Sequence, residues 1–169
     1  RNGTLSGKAA VSLDLLGALT NSNGQLASGG PLVISRSSQI DNQGGQLVSQ
    51  GGLSLLTGSL DNRNRGTVAA NDNLVISSSG AVLNNSDGLI YSQNAGVRVD
   101  AASLANGNGS LQGQGALNLT VSGDIDNQSG KLISQNGDLS VSAASLDNRG
   151  GTLASLKGAF EAHVVGVLK

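Results

Sequence analysis

The 169-residue chain contains no cysteine, no methionine and no tryptophan. Without cysteine there is no disulfide framework, no thiol nucleophile and no cysteine-ligated metal. Aromatic side chains are nearly absent, with one tyrosine, Tyr91, and one phenylalanine, Phe160. Irregular cores use aromatics to fill uneven space, so this interior must be uniform enough for aliphatic side chains alone. Charged residues make up 12% of the chain and the formal net charge is −1. No basic face is available to neutralise phosphates, which argues against nucleic acid as a partner. No apolar run approaches the roughly 18–20 residues that a membrane span requires. The lone histidine, His163, has no partner ladder and lies in the irregular tail, so it supports neither catalysis nor metal binding. Neither a G-x-x-x-x-G-K-[ST] phosphate loop nor a G-x-S-x-G nucleophile elbow occurs.

What is abundant is glycine, at 26 residues, with asparagine and serine between short apolar pairs. Such a composition is compatible with disorder, but the aliphatic residues recur at fixed places. The phrase Leu146-Asp147-Asn148-Arg149-Gly150-Gly151-Thr152-Leu153 returns, with drift, from Leu19, Ile40, Leu60, Leu83, Leu104 and Ile125. The steps between starts are 21, 20, 23, 21, 21 and 21 residues. A fixed period of this length is the signature of a repeat architecture. Arg1-Asn2-Gly3-Thr4-Leu5 matches the tail of the same phrase, so the chain is read as opening in mid-repeat.

Each period carries the same grammar. An apolar residue opens it, and two positions later stands Asn21, Asn42, Asn62, Asn85, Asn106, Asn127 or Asn148. A glycine follows, then an aliphatic such as Leu47 or Leu132. An alternating pair such as Leu53/Leu55 or Leu117/Leu119 closes the period. Alternation is the strand pattern, because successive side chains point to opposite faces. Three short strands in about 21 residues leave corners too short for a helical crossover. The fold expected is all-β, a parallel β-helix with one period per turn and three short strands in each. Residues 1–156 form the repeat segment, and 157–169 form an irregular tail or end cap in which Phe160 takes the next strand station with Ala162 as its alternating partner. Pro31 fits only at a corner or strand start, since it cannot donate to a ladder. The stretches Asn62–Gly66 and Ser77–Ala81 hold the extra residues of the long period and are read as bulged corners.

Several residue sets are candidate sites. The recurring asparagines are expected to form a structural ladder rather than a row of ligand-binding amides, because glycine follows each at turn spacing. Asp41 and Asp61, and Asp126 and Asp147, would stack in pairs. Paired carboxylates serve glycoside hydrolysis or calcium binding, but on tight corners without walls they read as turn caps. Arg63, Arg65 and Arg149 fall on equivalent corners and read as solvated charge. No catalytic, metal-binding or cofactor-binding residue is assigned, and no cofactor is expected. If the chain binds a receptor, Arg63, Arg65 and Tyr91 mark the flank expected to do so.

The phrases Ile40-Asp41-Asn42-Gln43-Gly44-Gly45-Gln46-Leu47, Ile125-Asp126-Asn127-Gln128-Ser129-Gly130-Lys131-Leu132 and Leu146 to Leu153 resemble filamentous haemagglutinin repeats. These occur in large two-partner secretion exoproteins of Gram-negative bacteria, among them haemagglutinin adhesins and contact-dependent growth inhibition exoproteins. The resemblance implies a right-handed coil, export through an outer-membrane transporter partner, and display on the cell surface or secretion. It implies a structural filament or stalk that projects an adhesive or toxic tip. A receptor- or glycan-binding module using one flank is the alternative, with a host or target-cell receptor as partner. A β-helix enzyme such as a polysaccharide lyase needs long loops around a cleft, and periods of 20 to 23 residues leave none, so no enzyme is expected.

Overall fold

The computed structural model describes residues 2–169; Arg1, the first residue of the expected phrase tail, lies outside the described residues. The described residues are all-β, without a helix, and form a parallel β-helix. Each turn contributes to three faces. The first face is an eight-stranded sheet of Thr4–Gly7, Gln25–Ser28, Gln46–Ser49, Thr67–Ala70, Leu89–Ser92, Ser110–Gly113, Lys131–Ser134 and Thr152–Ser155. The second face runs from Val11–Asp14 through Leu32–Ser37, Leu53–Thr57, Leu74–Asn84, Val97–Ala105, Leu117–Val121 and Leu139–Ala143 to Phe160–Val164. The third holds Ala18–Thr20, Gln39–Asp41 and Leu60–Asp61, then the ends of the two long strands, then Asp124–Asp126 and Ser145–Asp147. Leu74–Asn84 and Val97–Ala105 each run around the bend, so the second and third faces merge there.

Register explains why the pattern is so regular. Equivalent positions pair directly: Leu26 with Leu47, Leu53 with Leu74, Leu104 with Ile125. Period-2 alternation then sends every equivalent aliphatic to the same side. The interior is three stacked columns, exemplified by Leu47/Val68/Ile90, Ile34/Leu55/Ile76 and Leu60/Leu83/Leu104, all buried. Each buried aliphatic contributes roughly 1.5–3 kcal/mol against the entropy of ordering its turn, so a turn depends on neighbours above and below. Burial fades toward both ends, where Leu5 and Phe160 are about half exposed. At the strand spacing of about 4.8 Å, eight strands make a rod on the order of 35 Å long.

The corners carry the irregularities. Pro31 sits immediately before Leu32–Ser37, and its carbonyl accepts from Val11 N. Asn64 and Arg65 both adopt positive φ in the long corner. The register slips between Ser78 and Val82, where the other extra residues were expected. A further slip between Ile34 and Ser37, with Arg36 at φ 56°, has no counterpart in the sequence reading. Beyond the last phrase the chain keeps to the coil path. Phe160 pairs in register with Leu139 and Ala162 with Val141, and Leu168 bridges Leu146.

Candidate functional site: the asparagine ladder and its flanks

Each third-face strand runs through an apolar residue and a middle residue to an asparagine, the middle one being aspartate in four turns, as in Leu60-Asp61-Asn62. Alternation therefore turns the aliphatic inward, the aspartate outward and the asparagine inward. Six of the asparagines form one chain of side-chain hydrogen bonds down to the seventh. Each Nδ2 donates to the next Oδ1, from Asn21 to Asn42, Asn62, Asn85, Asn106, Asn127 and Asn148, at 2.7–2.8 Å. The same nitrogens reach first-face carbonyls one turn on, such as Asn42 to Thr67 O at 3.0 Å and Asn85 to Ser110 O at 3.1 Å. Asn42, Asn62, Asn85, Asn106 and Asn127 are fully buried. Among the described residues no buried side-chain nitrogen or oxygen lacks a partner. The amides are thus consumed by the coil itself, and none is presented to a ligand.

The glycine after each asparagine has a reason the sequence reading did not name. A Cβ on Gly109 would lie 2.7 Å from Asn106 Oδ1 and closer still to the carbonyl oxygen of Asn85 in the neighbouring turn. The same crowding recurs at Gly45, Gly66, Gly88, Gly130 and Gly151. These glycines serve close approach. The left-handed backbone region belongs to the residue just before each glycine: Asn23, Gly44, Arg65, Asp87, Asn108, Ser129 and Gly150 all have positive φ. The signal available in the sequence was the make-up of that column, small and polar or glycine at every position but Arg65.

The stacked aspartates cap their own corners. Oδ1 of Asp41, Asp61, Asp126 and Asp147 accepts from the backbone N–H two residues on, at 3.0–3.2 Å. Asp61 with Asp41, and Asp147 with Asp126, are neighbours in register as expected. Arg63 and Arg149, read as solvated, also ion-pair with Asp61 at 2.8 Å and Asp147 at 2.6 Å. The Arg149 hydrogen bond holds the Asp147 carboxyl below its ordinary value. Burial pushes Asp41 up, but hydrogen bonds from Ser22 and Gln43 outweigh it, and its value too is lowered. Lowered carboxylates on an open corner are poor general acids. Among the described residues no group of three or more His, Asp or Glu side chains could hold a metal ion.

Tyr91 faces outward from the first face, half-buried between Ala69 and Gln112 in the neighbouring turns. It borders a shallow groove of about 370 Å³ with Leu89, Gln93, Gln112, Gln114 and Gln135. Arg63 and Arg65 do not line that groove, so the flank residues singled out in the sequence are not brought together there. His163 lies beside Ser142 in register at the edge of another open groove, and no hydrogen bond joins the two.

A family model described as haemagglutinin repeat matches residues 4–86, 58–129 and 127–159. No curated protein and no solved structure matches the chain.

Proposed function

Since the chain belongs to the haemagglutinin-repeat family, we propose that it is a filament or stalk segment of a secreted or surface-displayed exoprotein of a Gram-negative bacterium. Its task is to hold an adhesive or toxic tip, as in adhesins or contact-dependent growth inhibition, away from the cell. The observation that carries this reading is the continuous stack of turns bound internally by one chain of buried amides. Stiffness follows from that file, because bending the rod would open ladder and strand hydrogen bonds together. Export by an outer-membrane transporter partner fits a chain without cysteine, since a periplasmic disulfide would obstruct threading of an unfolded polypeptide. No catalytic role is proposed, as the paired carboxylates are engaged by their own corners.

A second reading rests on the Tyr91 groove. An aromatic ring among glutamine amides suits an uncharged glycan or a receptor loop, with the Arg63 and Arg65 corner as a separate contact.

Two measurements separate the readings. The isolated chain is assayed on a glycan array and on target cells, where a pure spacer binds nothing. In the full-length exoprotein, one whole period is excised, residues 106–126, so that Asn127 stacks directly under Asn85. A spacer tolerates the excision with display and tip activity retained. Binding by the isolated chain that is lost on Tyr91→Ala favours the adhesin module instead.

A further inference from the structure

Five Asn-Gly dipeptides occur in the chain, at Asn2, Asn23, Asn106, Asn108 and Asn136. Glycine lacks a Cβ, so at such a pair the following backbone nitrogen reaches the asparagine side chain with least hindrance. Asn2 adjoins Arg1 and is set aside; the other four lie within the coil. Three of these four are locked, in two different ways. The Asn106 amide is buried in the ladder, accepting from Asn85 at 2.8 Å and donating to Asn127 at 2.7 Å. At Asn23 and Asn108 the attacking nitrogen is engaged, because Gly24 N–H donates to Asn21 O and Gly109 N–H to Asn106 O, each at 2.9 Å.

Asn136 has neither lock. It is exposed at the corner between Lys131–Ser134 and Leu139–Ala143. Its own backbone N–H donates to Gln114 O at 3.0 Å. Neither its side-chain amide nor the Gly137 N–H makes a hydrogen bond among the described residues.

We infer that Asn136-Gly137 is the site within the coil at which the folded protein deamidates. The Gly137 nitrogen gives its proton to solvent base and bonds to Asn136 Cγ. The bond from Cγ to the amide nitrogen breaks and ammonia leaves, closing a five-membered imide. Water then opens either imide carbonyl, yielding aspartate or isoaspartate. Only water is consumed. The product sets a carboxylate beside Asp138 and next to Gln135, which lines the Tyr91 groove. The isoaspartate form also lengthens the backbone of a corner that Ser134 Oγ ties to Gly137 O at 2.6 Å.

The test incubates the folded 169-residue chain at mildly alkaline pH and follows each Asn-Gly peptide by mass spectrometry, with a urea-unfolded control. Unfolded, all the pairs convert. Folded, Asn23, Asn106 and Asn108 slow on the order of tenfold or more, because each must wait for local opening, while Asn136 keeps most of its unfolded rate. Asn136→Gln removes conversion from that peptide, and an unchanged thermal melt shows the variant folds. Slowing of Asn136 to the same degree as Asn23 and Asn108 overturns the inference.

Discussion

Asn62 donates to Oδ1 of Asn85 at 2.8 Å although 23 residues separate them, whereas Asn42 reaches Asn62 at 2.7 Å across only 20. The ladder therefore keeps its pitch while turn length varies. The surplus is expelled to the corners, into the positive-φ pair Asn64 and Arg65 and the slip after Ser78. A buried amide without its partner costs more than a distorted exposed corner, so the corner yields.

Replacing a ladder member in mid-rod should be severe. Asn106→Leu strips the Asn85 Nδ2 of its acceptor and the Asn127 Oδ1 of its donor. With each buried unsatisfied group costing about 1–3 kcal/mol, the loss is on the order of 3–5 kcal/mol. Asn21→Leu, at the top of the file with one neighbour only, should cost clearly less. Urea unfolding of both variants checks the ranking, and equal losses would refute a continuous ladder.

Two glycines on either side of Asn108 should respond unequally. Gly109→Ala drives a Cβ into the Asn85 carbonyl and within 2.7 Å of Asn106 Oδ1, and should cost about 3 kcal/mol, at the upper end for overpacking. Gly107→Ala has nothing nearer than Gln128 O at 3.7 Å and should stay within about 0.5 kcal/mol of the parent. Thermal melts compare them.

A charge in the aliphatic column should spread its damage along the axis. Leu119 is buried between Val99 and Val141, so Leu119→Asp should cost more than about 4 kcal/mol. Hydrogen exchange should accelerate together in Val97–Ala105 and Leu139–Ala143, because each turn contacts mainly its neighbours. Leu56 is 45% exposed on the same face, and Leu56→Asp should leave the melt nearly unchanged. A melt unaffected by Leu119→Asp would count against the buried column.

The corner aspartates set the acid limit. Hydrogen bonds from Arg36 to Asp14 and from Arg149 to Asp147 lower both carboxyls from the ordinary 3.8. A carboxyl lowered in the folded state contributes stability above its unfolded value, and loses it as pH falls through the folded one. The melting temperature should be flat near neutrality and fall only below about pH 4. Asp147→Asn should soften that fall. A melt already declining between neutrality and pH 5 would contradict the assignment.

The architecture was legible in the sequence because its cause is periodic. Leu26, Leu47 and Val68 announce an inward column by spacing and alternation alone, and the asparagine two residues after each apolar opener shares that inward parity. The pairing of Phe160 with Leu139 follows from the same count. Linear order does not say which surface groups share a groove: Tyr91 lies 26 residues after Arg65, and its groove is lined without Arg63 or Arg65.

From the amino-acid order alone came the coil, its three stations and the file of asparagines, since local parity and a near-constant period decide which side chains face inward. Tertiary structure alone decided why Gly109 must lack a Cβ, which residue takes the left-handed turn, that Arg63 and Arg149 fold back onto Asp61 and Asp147, and where Arg36 breaks the register. The physical reason is that Gly109 and Arg36 meet atoms of a neighbouring turn, about 4.8 Å away in space but some 21 residues away along the chain, while Arg63 and Arg149 reach carboxylates two residues back, a side-chain direction that only the folded corner sets.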